Sequence, residues 1–233
     1  MKLRYKLSIT ICIILLLLSS GELWHTNQGR SSVVGSPGKG QLENAWLLPY
    51  SGDNFRFFSP LSYFILDRAY VDHRVYAAVV GAYASLEDTR PGQQWRIMEC
   101  SRKRGGRMWP HRTHQSGMSV DFMVPKTKKG RQHRWLDRIG VWHYALSFDD
   151  AGNWNELIQI DFEAMGQHLL ALDDAARANG ISIKKVILKI DLKDEFYATP
   201  SGREVRRRGI YLAKSLPKLI DDLHDDHYHV DFK

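Results

Sequence analysis

The chain has 233 residues, 43% hydrophobic and 25% charged, a balance that suits one ordinary globular domain and excludes a disordered or fibrous chain. Its formal charge of +7 makes an anionic partner worth weighing. Of its two cysteines, Cys12 lies in an apolar N-terminal run, so no pair remains for an intramolecular disulfide and the fold must rest on its core, helped or not by a metal.

At the N-terminus, Lys2, Arg4 and Lys6 precede an apolar run from Leu7 to Leu18, and the small residues Ser19, Ser20 and Gly21 follow. That order predicts a secretory signal peptide over residues 1–21, with an uncleaved anchor as the alternative. The run is short for a membrane span, which takes about 20 apolar residues. Removing this segment takes away three basic and no acidic residues, so the charge falls from +7 to +4. Basic clusters remain at "SRKRGGR", "KTKKGR" and "REVRRRG"; such runs are either solvated surface or contacts for an anionic wall polymer or lipid headgroup. Export argues against nucleic acid as a partner.

Residues 22–41 include the Gly- and Ser-rich "TNQGRSSVVGSPGKG" and read as a flexible lead-in, so the folded domain is placed at 42–233. A buried helix is expected over 75–87 and a strand over 94–100. The clearest helix runs from Asp161 to Asn179, with Phe162, Met165, Leu169, Leu172 and Ala176 on one face and Gly180 as its stop. His168 on that helix reads as a packing or surface residue. The β-branched "ISIKKVILKIDL" predicts a core strand, and a second helix is expected around Arg203 to Ala213. There are no internal repeats and no sign of a second domain.

Two segments concentrate the chemistry. "PHRTHQSGMSVDFMVP" holds His111, His114 and Asp121, the last in an alternating run that turns Ser119, Asp121 and Met123 to one face and Val120, Phe122 and Val124 to the other. "HDDHYHVDFK" alternates likewise, with His227, His229 and Asp231 opposite Tyr228, Val230 and Phe232. Catalytic zinc takes three ligands from His and carboxylate groups and keeps a position for water. His114, Asp121 and His229 would supply such a set, with His227 one strand step away beside the water. A lone HxH is common by chance; two His/Asp-dense segments on alternating strands, about a hundred residues apart, make a metal site the stronger reading.

"GGRMWPHRTHQSGMSVDF" and "HDDHYHVDF" resemble the paired signatures of the penicillin-insensitive murein endopeptidases, within the wider group of lysostaphin-type and D-Ala-D-Ala zinc peptidases. Weaker similarity at "GSPGKGQLENAWLLP" and "FDDAGNW" extends the resemblance from about Gly35 to Phe232. It implies that His114, Asp121 and His229 bind Zn2+, that His227 stands beside the reacting water, and that His111 and His224 line the site or hold an additional metal. Gln115 and Gly117 would shape the loop between the first two ligands. Two positions depart from the pattern: Asp231 stands where an arginine is expected, and Ser119 where an acidic residue is usual. An Asp/His pair seen downstream of the first motif in some members has no match here.

The expectation is therefore a single α+β domain, a central, mainly antiparallel sheet carrying the ligands with helices outside. The resemblance implies a periplasmic zinc metallopeptidase that hydrolyses the D-alanyl–diaminopimelyl cross-link of peptidoglycan. Metal would acidify the water, His227 would act as general base, and Asp225 and Asp226 would orient an imidazole. The alternatives are a D,D- or L,D-carboxypeptidase that trims stem peptides and a non-catalytic zinc-containing wall-binding protein. Trp109, just before the first motif, would either stack on substrate or pack in the core.

Overall fold

The computed structural model describes residues 2–233, with the side chains of residues 2–4 and 17–20 outside that description; Ser19 and Ser20, expected before a cleavage point, are among the latter. Helix α1, Lys2–Leu23, carries the apolar N-terminal run, and Ile9, Ile11, Ile13, Ile14, Leu15 and Leu16 are exposed on it. Among the described residues no helix is long and apolar enough to cross a membrane.

The fold is α+β. Its centre is a five-stranded mixed sheet of β1 (Phe55–Phe57), β2 (Trp95–Ile97), β3 (Ser119–Met123), β4 (Ile183–Ile187) and β5 (His227–Phe232), in the order β4-β5-β3-β2-β1. Only β1 and β2 run parallel; the other pairings are antiparallel. β4 would be an exposed edge, but residues 211–213 cover it: Val186 donates to Tyr211 O and accepts from Ala213 N.

Helices α2 (His73–Thr89) and α3 (Phe162–Ala178) pack against each other on one face of the sheet. Asp72 and Asp161 cap them by accepting from the backbone N–H groups of Arg74 and Ala164. The apolar alternation of β3 and β5 faces this layer. His168 of α3 is fully buried there, its ring 4.6 Å from Phe122 and 5.3 Å from Trp95, with Nδ1 2.7 Å from the Tyr228 hydroxyl. Burial pushes its pKa down to about 3, so it is a neutral packing residue. The helix expected around Arg203 to Ala213 is instead α4, Pro200–Arg207. Gly209 at φ 72° ends it, which releases the following residues to pair with β4.

The stretch expected as a flexible lead-in contains an antiparallel hairpin, Ser32–Ser36 with Lys39–Glu43. Its glycines serve close approach. A Cβ on Gly35 would lie 2.2 Å from Lys39 O, and one on Gly40 would lie 2.7 Å from Ser116 Cβ. The hairpin braces the loop that carries His114: Gln115 N donates to Pro37 O, and Gly106 N is shared between Gly40 O and Gln115 O. Composition alone does not separate a tether from a hairpin whose glycines are steric requirements.

Candidate metal centre

The polar face of β3 and β5, turned away from the helices, carries the site. Antiparallel register sets His229 opposite Asp121, His227 opposite Met123 and Asp231 opposite Ser119. His114 comes from the preceding loop in a left-handed backbone conformation, φ 66°, rare for a residue with a side chain. Three ligand atoms then converge. His229 Nδ1 lies 2.8 Å from Asp121 Oδ1 and 3.1 Å from His114 Nε2, and His114 Nε2 lies 3.1 Å from Asp121 Oδ2. All three residues are at most 2% exposed.

His229 also contacts Asp231, its Nε2 being 2.7 Å from Oδ1. A carboxylate only accepts and both ring nitrogens of His229 face one, so a cation is required at Nδ1: a proton, or a metal with Nε2–H still donating to Asp231. The three ligand atoms, 2.8–3.1 Å apart, thus surround a point that takes positive charge. Asp121 Oδ2 is buried without a hydrogen-bond donor, as a metal ligand would be. Tetrahedral zinc at about 2.1 Å holds its ligand atoms about 3.4 Å apart, so these three need to part by only a few tenths of an ångström. The residues fit a metal.

His111 is the fourth member of the group. With His114 and Asp121 it forms a buried His-His-Asp cluster whose ligand atoms lie within 4.8 Å of one another and which could hold a metal ion. Its Nδ1 is 3.8 Å from Asp121 Oδ2, and its Nε2 is 2.5 Å from Glu99 Oε2. Glu99 is itself held by Arg68 and by the Ser62 hydroxyl. The contacts of His229 are the shorter, so the set His114, Asp121, His229 is the tighter trio and His111 stands at its rim, its side chain 16% exposed.

The electrostatics follow from this crowding. Burial alone would raise the Asp121 carboxyl, yet the facing imidazoles of His114 and His229 hold it well below the usual range. Burial lowers His114 despite the adjacent Asp121. For His229, burial is outweighed by the hydrogen bonds to Asp121 and Asp231, which push its pKa up to about 9 while no metal is bound.

His227 is buried beside the trio, its Nδ1 2.5 Å from Asp226 Oδ1. Its ring meets Tyr144 edge-on at 5.6 Å and lies 4.7 Å from the ring of His224. His224 lines the site, with Nδ1 donating to Ile220 O, and burial pushes its pKa down to about 3. Asp225 turns away, accepting from Ser147 Oγ and Phe148 N, so only Asp226 orients an imidazole. Gln115 also points elsewhere: its side chain donates to Arg112 O, and its contribution is through the backbone. Trp109 is 85% exposed, which removes the core role.

Sequence reasoning missed Glu99, Arg68, Lys126, His143 and Tyr144. Each is a single residue outside the motifs, without spacing to mark it, delivered by chain folding alone. No protein-family model and no curated protein matches the chain.

Proposed function

We propose that the protein is an exported zinc peptidase that hydrolyses peptide cross-links of peptidoglycan, the D-alanyl–diaminopimelyl bond being the target. The observation that carries this reading is the convergence of His114, Asp121 and His229 within 3.1 Å of one another with His227 alongside. Two imidazoles and a carboxylate suit zinc among the available divalent ions and leave room for water. Bound there, zinc supplies an acidified water and polarises the scissile carbonyl.

The chain's own residues account for the remaining tasks. His227 accepts the proton of the attacking water and returns it to the departing amine. Asp226 holds His227 by its Nδ1, so that Nε2 faces the reaction. The partly exposed His111 and His224 mark the side from which a peptide reaches the buried ligands. A serine nucleophile has no part in this chemistry, which accords with the resemblance to enzymes indifferent to β-lactams.

The test is to incubate the zinc-loaded protein with purified sacculi and resolve the muropeptides by mass spectrometry. Conversion of cross-linked dimers to monomers is the expected result. Dimers that persist in the presence of folded, metal-loaded protein overturn the reading, and release of a terminal amino acid with cross-links intact replaces it with a carboxypeptidase.

A further inference from the structure

Behind His227 runs a line of buried polar groups that the reaction above leaves unused. Lys126, just beyond β3, is wholly enclosed; its ammonium faces Val124 O at 2.9 Å and His143 Nε2 at 3.0 Å and forms an ion pair with Asp137 Oδ1 at 2.8 Å. An ammonium has three protons to give and no lone pair. His143 Nε2 is therefore the accepting nitrogen of its ring, and the ring proton sits on Nδ1. That Nδ1–H faces Asp226 Oδ2 at 2.9 Å. The other oxygen of the same carboxylate faces His227 Nδ1 at 2.5 Å. Since a carboxylate only accepts, His227 also carries a proton on Nδ1, and in the neutral ring its Nε2 is left with a lone pair.

We propose that Lys126 and His143 form a positioning relay that holds the Asp226 carboxylate, which in turn fixes the tautomer of His227 and presents its Nε2 as a base rather than as a donor. The directions follow from two ends: Lys126 can only give, which makes His143 Nε2 an acceptor, and Asp226 can only accept, which places a proton on Nδ1 of both His143 and His227. The reverse tautomer of His143 would set two N–H groups against each other at 3.0 Å and a lone pair against the Asp226 carboxylate at 2.9 Å. Burial and the adjacent Lys126 push the pKa of His143 down to about 4, so its ring is neutral at physiological pH, as the relay requires. The two-turn 3-10 segment Gly140–Ala145 delivers both His143 and Tyr144, whose ring stands at 90° to that of His227. One short element thus supplies a hydrogen-bond link and a wall against ring rotation.

The kinetic consequence rests on the peptidase reading, whereas the tautomer does not, and the experiment separates the two. The zinc-loaded full chain is labelled with 15N-histidine, and long-range 1H–15N spectra are followed to a pH at which His227 is neutral. His143 and His227 are both expected as the Nδ1–H tautomer. Either ring found as Nε2–H overturns the relay. The second measurement uses Lys126→Met combined with Asp137→Leu, which removes the donor together with its counter-charge and so orphans neither buried ion. His143 keeps its Nδ1–H to Asp226 but loses the partner of its Nε2, so the Asp226 carboxylate is held less firmly, and turnover on sacculi should fall about ten- to hundredfold with zinc affinity unchanged. A folded variant that keeps full turnover overturns the proposal. If the double variant does not fold, the wild-type spectra still decide. If wild-type protein leaves sacculi intact while showing both Nδ1–H rings, the peptidase reading falls and the relay stands.

Discussion

Ser119 Oγ donates a 2.6 Å hydrogen bond to Asp231 Oδ1 across the β3–β5 pair, joining the two residues at which the chain departs from the pattern it resembles. The acid stands on β5 with a hydroxyl opposite, and Lys185 from β4 supplies a cation 3.2 Å from Asp231 Oδ2. Asp231 also fixes the tautomer of His229 through Nε2. Asp231→Ala should therefore weaken zinc binding about ten- to hundredfold in a chelator competition, as loss of a carboxylate behind a ligating histidine does. Asp231→Asn, whose amide oxygen can still accept from Nε2, should lose less. Equal affinity in all three proteins would show that Asp231 does not orient the ligand.

Metal-free protein should lose stability on the alkaline side. The folded-state pKa of His229 is raised from 6.5 to about 9, so its contribution is fully present below about pH 6.5 and is lost as pH rises through 9. A rise of that size corresponds to on the order of 3 kcal/mol. Asp121 and Asp231 are depressed instead, so their contributions hold above the ordinary carboxylate range and disappear in strong acid. Bound metal occupies the lone pair that the proton would take, which removes the alkaline arm. Urea unfolding at pH 6 and pH 10, with and without zinc, checks this. An alkaline loss of equal size in both forms would contradict it.

Gly117 lies three residues after His114 at φ 74°, and a Cβ there would sit 2.5 Å from Leu42 Cδ2 and 3.0 Å from Asp72 N. Leu42 belongs to the N-terminal hairpin and Asp72 caps α2, so the loop is clamped between two elements. Gly117→Ala should cost about 2 kcal/mol from the backbone conformation alone. It should also lower zinc affinity by shifting His114, as measured by denaturant unfolding and metal titration on the same sample. Gly106→Ala, with nothing within 4 Å of the added Cβ, reports the cost of positive φ without the clash.

The legible parts of the fold were those written as local periodicity. Steps of three and four marked α3, and alternation in "SVDFM" and "HYHVDF" set Asp121, His227 and His229 on one face of paired strands. What stayed hidden depends on contacts distant in sequence. Glu99 reaches His111 because the chain beyond β2 runs beside Asp121, with Asp121 N donating to Glu99 O. His143 meets Asp226 across 83 positions. Lys126 gave the opposite signal, since a lysine in a basic run reads as surface and only its two acceptors and its ion pair with Asp137 explain its burial. Asp231 was visible but not interpretable until its register partner was known.

The roles of the two strand histidines are separable by mutation because alternation gives them different neighbours. His229 makes its contacts with Asp121 and His114, whereas the nearest polar partner of His227 is Asp226, 2.5 Å away. His229→Ala removes a ligand and should abolish both zinc retention and turnover. On the proposed peptidase reading, His227→Ala removes the proton acceptor and should retain zinc while losing about 10²- to 10⁴-fold in turnover. Zinc content by atomic absorption and muropeptide release on the same preparations distinguish the outcomes. Loss of zinc from His227→Ala would move His227 into the ligand set, and the His114–Asp121–His229 trio would have to be redrawn.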